Sequence, residues 1–116
     1  MAMPDGRIGH AEITIGDSIV MLADEFPEMN VRGPQSLGGT SVSLLLYVKD
    51  VDAAFQRAVD AGAKMLRPVQ DQFYGDRSGS FVDPFGHEWT LSTHQEDVSS
   101  AEMKKRAKEA FAKMAK

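Results

Sequence analysis

The chain has 116 residues, of which 42% are hydrophobic and 26% are charged; this fits one globular domain and excludes a two-domain enzyme. It contains no cysteine, so disulfides, thiolate metal sites and cysteine nucleophiles are excluded, and His, Asp and Glu remain as the strong metal ligands. No apolar run approaches the roughly 18 residues of a membrane span, and the N-terminus has no signal-like apolar segment, so we expect a cytoplasmic protein that binds no membrane.

The formal net charge of −4 is unevenly distributed along the chain. Residues 1–98 carry 15 acidic and 7 basic side chains, whereas residues 99–116 carry 2 acidic and 6 basic ones. Because an acidic body repels a phosphate backbone, we expect no nucleic-acid partner. We interpret the basic tail as the solvated face of a helix.

The first part of the chain predicts a hairpin and a linker. Polar and apolar residues alternate on both sides of Gly16, which indicates two half-buried strands within residues 7–24, joined by a two-residue turn that pairs Ile15 with Ser18. Residues 25–40 contain prolines and glycines at a density typical of a surface loop, and we interpret them as a linker.

Residues 41–94 predict a complete βαβββ module. A strand ending at Val48 is followed by a helix that Asp50 caps and Gly62 ends, and then by further strands. The last two strands form a hairpin across Asp83-Pro84-Phe85-Gly86, in which we predict that Val82 pairs with His87.

Residues 99–116 predict a C-terminal amphipathic helix. The segment opens with a capping box from Ser99 to Glu102, and an apolar stripe follows at helical spacing. Together these elements predict an α+β fold in a single domain.

The order of motifs in the βαβββ module is specific. It comprises the strand and helix start Tyr47-Val48-Lys49-Asp50-Val51-Asp52, the helix end Ala61-Gly62-Ala63, the loop Phe73-Tyr74-Gly75-Asp76-Arg77 and the turn Asp83-Pro84-Phe85-Gly86-His87. It resembles one module of the vicinal oxygen chelate superfamily, which comprises glyoxalase I, bleomycin-resistance proteins and extradiol dioxygenases, and is similar to PhnB-like glyoxalase-type members. The resemblance covers residues 6–98. It implies paired modules around a cleft that holds a divalent metal and a bidentate substrate.

The resemblance also implies that the front module is partial. The hairpin of residues 7–24 looks like the end of a first module, so the opening strand, helix and next strand of that module are expected to be missing. If the apolar face of the hairpin stays exposed to water, the fold loses roughly 1.5 to 3 kcal/mol of stabilisation for each large side chain. We therefore expect a second copy, in a homodimer or higher homo-oligomer, or the terminal helix, to cover that face, which comprises Ala11, Ile13, Ile15, Val20 and Leu22.

The metal-ligand positions that the resemblance implies are occupied by weak ligands. They fall at Ser43 and Thr90 in the complete module and near Met21 in the hairpin. The usual His/Glu set is therefore absent, and we predict no cofactor. A divalent metal remains an alternative, with His10, Glu12 and Glu88 as weak candidate ligands.

The alternation of side chains along the strands predicts a small-molecule pocket. In the predicted hairpin register, Arg77, Gly79 and Phe81 face the cleft, Trp89 packs against the helix, and His94 is exposed beyond the last strand. An ion pair between Arg77 and Asp76 that fixes the loop is an equally good interpretation of Arg77. The candidate ligand-binding residues are Ser43, Tyr47, Phe73, Tyr74, Arg77, Glu88 and Thr90.

Three functions remain open. The favoured one is a small-molecule binding protein of the bleomycin-resistance type, whose acidic body favours a cationic ligand. The second is a metal-dependent lyase, isomerase or dioxygenase with His10 and Glu12 as candidate catalytic residues. The third is a truncated, inactive relative. The sequence has no nucleophile elbow, phosphate-binding loop or dinucleotide fingerprint, so hydrolase, kinase and dehydrogenase functions have no support.

Overall fold

The computed structural model describes residues 1–114, which belong to an α+β protein with two β-sheets. The chain divides into two compact units, Met1–Gly38 and Gly39–Lys116. The α+β class predicted from the sequence is confirmed. No helix among the described residues has the length and apolar character required to cross a bilayer.

The first unit contains the predicted hairpin. Strands β1 (Ala11–Ile15) and β2 (Ser18–Leu22) pair antiparallel with Ile15 opposite Ser18, as predicted. Gly16 begins the turn with a φ of 63°, a conformation that favours glycine.

The segment after the hairpin is more ordered than a linker loop. It contains a 3-10 helix over Pro27–Met29 and the short helix α1 (Pro34–Leu37). Proline starts both turns, because its fixed φ suits the first helical position. The Glu25 carboxylate accepts hydrogen bonds from the Gly33 amide at 2.9 Å and from the Ser36 hydroxyl, and these bonds hold α1 in place.

The second unit contains the predicted βαβββ sequence of elements followed by a helix. The elements are β3 (Ser43–Tyr47), α2 (Val51–Asp60), β4 (Lys64–Asp71), β5 (Asp76–Val82), β6 (Glu88–His94) and α3 (Ser100–Met114). The strand order in the sheet is β3-β6-β5-β4, with β3 parallel to β6 and the remaining pairs antiparallel.

Helix α2 packs on one face of the four-stranded sheet and forms the core with it. Asp50 caps the helix by accepting a hydrogen bond from the Ala53 amide at 3.2 Å. The rings of Phe55 on the helix and Phe81 on β5 meet edge to face, with centroids 5.9 Å apart. Trp89 packs against the same core, which confirms its predicted position on the helix side of the sheet.

The hairpin between β5 and β6 corrects the predicted register. Val82 pairs with Glu88 and not with His87. His87 is held inside the turn, because its carbonyl accepts from the Asp83 amide at 2.8 Å while its own amide donates to the Asp83 carboxylate at 3.0 Å. A shift of one residue exchanges the two faces of a strand, so Arg77, Gly79 and Phe81 lie on the α2 side.

Helix α3 begins as the capping box predicts. The Glu102 amide donates to the Ser99 hydroxyl at 3.2 Å. Arg106 ties the helix to the β4–β5 turn by donating to the Phe73 carbonyl at 3.2 Å, and it also pairs with Glu96 and Glu102. Residues 115 and 116 of the predicted helix lie outside the described residues.

Candidate functional site

The face of the four-stranded sheet opposite α2, called the open face below, collects most of the polar strand residues. Cross-strand partners share a face, and the observed pairs align Tyr47 with Ser92, Asp76 with His94, and Ser43 with Glu88. The open-face residues of β3, β5 and β6 are Ser43, Leu45, Tyr47, Asp76, Ser78, Ser80, Val82, Glu88, Thr90, Ser92 and His94.

A chain of hydrogen bonds runs across one end of the open face. The Tyr47 hydroxyl donates to Asp76 Oδ2 at 2.7 Å, and Asp76 Oδ1 lies 2.9 Å from His94 Nδ1. His94 Nε2 lies 2.8 Å from Asp97 Oδ1. Asp76 is only 5% exposed, so a buried carboxylate fixes both ring side chains. We call these four residues the Tyr47–Asp97 network.

Both rings in the network are electrostatically perturbed. A neutral imidazole has one N–H, yet both His94 nitrogens face carboxylates, which only accept hydrogen bonds. The imidazolium satisfies both contacts, so the hydrogen bonds to Asp76 and then to Asp97 raise the pKa of His94. The hydrogen bond to Asp76 likewise raises the pKa of Tyr47, because a phenolate would face a carboxylate.

An aromatic group borders the network. Phe73 and Tyr74 in the β4–β5 turn meet edge to face with centroids 5.2 Å apart, and Phe73 also lies 6.3 Å from the Phe111 ring of α3. A Tyr74 phenolate would repel a Tyr47 phenolate, and this makes the smallest contribution to the raised pKa of Tyr47. This turn requires Gly75, because a Cβ at that position would lie 2.3 Å from the Glu96 carbonyl oxygen.

The structure places most of the predicted ligand-binding residues together. Ser43, Tyr47, Glu88 and Thr90 lie on the open face, as the alternation of side chains predicts. The Thr90 hydroxyl is 2.8 Å from the Ser80 hydroxyl. Phe73 and Tyr74 lie in the adjoining turn, in the same unit as the open face.

Arg77 lies on the opposite side, which contradicts its predicted position in the cleft. Its guanidinium holds Asp52 of α2 with bonds of 2.9 and 3.0 Å, and it holds Asp71 of β4 at 3.2 Å. The predicted ion pair with Asp76 is therefore replaced by these two pairs. The hydrogen bonds to Asp52 and then to Asp71 raise the pKa of Arg77, and the hydrogen bond from Arg77 lowers the pKa of Asp52.

His10 and Glu12 belong to the first unit. His10 Nε2 is 3.6 Å from Glu12 Oε2, and both side chains are exposed. Across residues 1–114 no three His, Asp or Glu side chains are grouped so that they could hold a metal ion. Within the second unit, the implied ligand positions Ser43 and Thr90 carry neutral hydroxyls, which do not fit the His/Glu set of a divalent metal site.

Asp76 and His94 are absent from the residues that the sequence predicts for the site. His94 is exposed, as expected, but it is the last residue of β6 and does not lie beyond the strand, and its ring contacts Asp76. The correct register of the β5–β6 hairpin would have predicted this pair. If Val82 is placed opposite Glu88, the antiparallel pairing also places Asp76 opposite His94.

The fold and sequence place the chain in a known family. Residues 2–91 match the Glyoxalase/Bleomycin resistance protein/Dioxygenase superfamily, and the chain belongs to it. It is 46% identical over 103 residues to an uncharacterized protein of Mycobacterium bovis, with 86% of this chain and 68% of that protein covered. An uncharacterized protein of Mycobacterium tuberculosis shows the same identity, with 61% of its length covered. The chain thus spans between 61% and 68% of the lengths of these relatives.

Solved structures share the fold. The chain is similar to TioX from Micromonospora sp. ML1, with a TM-score of 0.56 and 32% identity over 73% of this chain and 68% of that one. A protein of Pseudomonas aeruginosa shares the fold with a TM-score of 0.63 and 23% identity, over 78% of this chain and 66% of that one.

Proposed function

We propose that the chain binds a small organic molecule on its open face, without a metal ion held by the usual ligand set of the family. The observation that carries the proposal is the Tyr47–Asp97 network, in which a buried carboxylate orients two partly exposed rings. Small-molecule sites combine apolar surface with a few fixed polar groups. The open face offers this combination.

The apolar part of the site is accessible. Leu45 is 54% exposed and Tyr47 is 63% exposed, while Tyr74 is partly exposed beside them. Exposed apolar side chains next to polar groups that are already held in position are typical of binding surfaces. Binding is favoured over metal-assisted catalysis because Ser43 and Thr90 supply no anionic or imidazole ligand.

Fragment screening by ¹H–¹⁵N NMR tests the proposal. Aromatic fragments should shift the amide signals of Tyr47, Ser92 and His94, which lie on adjacent strands. Leu45→Lys should abolish these shifts by placing a charge on the open face. Val42→Lys, which adds the same charge at an exposed position before β3, should preserve them. Fragments that shift only signals outside the open face, or none at all, would contradict the proposal.

A second copy of the chain is proposed as a partner. The hairpin of the first unit leaves Ile13 and Leu22 more than two-fifths exposed on the face predicted to be apolar. Burial of such side chains against another chain is favourable. Light scattering should give the mass of a dimer or larger assembly, and Ile13→Lys should reduce it. A stable monomer of the unmodified chain would contradict this part.

Metal-dependent catalysis by His10 and Glu12 is the second candidate function. Their separation of 3.6 Å would allow both to contact one divalent ion. Metal analysis of dialysed protein distinguishes the two candidates. Stoichiometric metal that is lost in His10→Ala would favour the enzyme, whereas metal-free protein that takes up no added divalent ion would leave the binding function.

A further inference from the structure

The only proton of the Tyr47 hydroxyl is used in a hydrogen bond within the protein. A phenol carries a single O–H. The Tyr47 hydroxyl donates it over 2.7 Å to Asp76 Oδ2, a carboxylate oxygen that can only accept. The Asp76 residue is 5% exposed, so water has little access to replace this bond. The Tyr47 oxygen can therefore present only lone pairs to a ligand that reaches it.

The rest of the network offers no further strong donor. Asp76 uses its other oxygen for His94 Nδ1, and His94 uses its second nitrogen for Asp97. Two carboxylates against at most one imidazolium leave this end of the open face with an excess of negative charge. The Arg77 guanidinium holds Asp52 and Asp71 on the α2 side, and Arg67 of β4 is aligned with Ser80, nearer the middle of the open face.

Arg106 is engaged as well. It pairs with Glu96 and Glu102 and donates to the Phe73 carbonyl. An anionic or acceptor-only group placed at the Tyr47 oxygen would thus meet only lone pairs there, and burying unpaired acceptors is unfavourable. A ligand with a charged N–H group would instead complete the hydrogen bonding of Tyr47.

We infer that the ligand of the open face carries a protonated nitrogen whose N–H donates to the Tyr47 hydroxyl oxygen, next to a flat apolar group that rests against Tyr74. This inference rests on the proposed function and specifies its ligand class. The Tyr74 ring, which is partly exposed and fixed edge to face against Phe73, supplies the apolar surface and a π-face that attracts a cation.

Three matched probes test it. Benzylammonium has a positive charge and N–H donors, benzyltrimethylammonium has the charge without the donors, and benzoate has the opposite charge on the same ring. NMR titration of the whole chain should show that benzylammonium binds the open face about tenfold more tightly than benzyltrimethylammonium, as a charged hydrogen bond requires. Benzoate should bind most weakly.

The Tyr47→Phe variant provides the second comparison. It should make the affinities for the two cations equal, and amide signals outside the open face that keep their positions would show that the variant is folded. Equal affinity for the two cations in the unmodified chain would overturn the inference. So would a preference for benzoate at the open face, although the proposed binding function would then stand. If none of the probes binds, the inference fails, and the wider fragment screen decides the proposed function separately.

Discussion

Asp76 and His94 face each other across β5 and β6, with Asp76 Oδ1 2.9 Å from His94 Nδ1. The carboxylate is buried whereas half of the imidazole is exposed, so the pair joins the interior of the sheet to its surface. The second contact of His94, to Asp97, connects the same pair to the segment that leads into α3.

This arrangement makes the stability of the fold depend on pH. The pKa of His94 is raised above its ordinary value of 6.5 in the folded chain, because the imidazolium donates to two carboxylates. The stability that it contributes is fully present below pH 6.5 and is lost as the pH rises through the pKa of folded His94. Urea unfolding across this range should show stability decreasing with rising pH.

The His94→Gln variant should flatten that decrease, since glutamine does not titrate. His87→Gln serves as the control, because His87 lies in the β5–β6 turn and takes no part in the network. An equally steep decrease in His94→Gln would show that another group is responsible.

Gly79→Ala should destabilise the chain by about 1–3 kcal/mol through overpacking. A Cβ on Gly79 would lie 2.8 Å from Val69 and 3.0 Å from the Phe55 ring, in the contact between α2 and the sheet. Gly33→Ala is the control, because its Cβ would meet only Glu25 at an ordinary 3.6 Å. The unfolding free energy in urea measures both variants, and comparable values for the two would contradict the close approach of α2.

Thr93→Val should cost about 1–3 kcal/mol, because it leaves two partly buried backbone groups without their partner. The Thr93 hydroxyl accepts from the Val51 amide at the start of α2 and donates to the Val48 carbonyl after β3, both at 2.9 Å. It therefore joins β6 to the connection between β3 and α2. Thr40→Val removes a hydroxyl with purely local bonds and should change the unfolding free energy much less. Equal losses would argue against this role of Thr93.

Local patterns in the sequence predict most of the secondary structure. The Gly16 turn fixes the hairpin register, and the Asp50 cap and Gly62 stop bound α2. Prolines favour both loops and the first turn of short helices, so Pro27 and Pro34 do not distinguish a linker from the short helices that the structure has there.

The network depends on register between distant strands. Tyr47, Asp76 and His94 come from β3, β5 and β6, Asp97 follows β6, and one side chain bears on the alignment of β5 with β6. The Asp83 carboxylate binds the amides of Phe85 and His87, which holds His87 in the turn and moves the pairing by one residue. The alternation of side chains separates the two faces of β5 but cannot determine which face packs against α2. The prediction therefore places Arg77 on the open face, where the structure has Asp76.

The position of Arg77 leads to a prediction at acidic pH. Arg77 lowers the pKa of Asp52 below its ordinary value of 3.8, so the stability from this pair is present above pH 3.8 and is lost as the pH falls through the pKa of folded Asp52. Arg77→Met keeps the length of the side chain while removing the charge. Its stability should be lower than that of the unmodified chain at neutral pH, and the two should converge in acid.

Arg57→Met tests whether the effect is specific to the pair. Arg57 lies in the last turn of the same helix, so its replacement also removes one positive charge from the α2 side. Because Arg57 is not the partner of Asp52, this variant should keep the acid dependence of the unmodified chain. Urea unfolding at several pH values between about 3 and 7 measures all three proteins. If the unfolding free energies of Arg77→Met and the unmodified chain change in parallel with pH, the ion pair with Asp52 adds nothing to stability. Any effect of Arg77 on stability would then come from its packing alone.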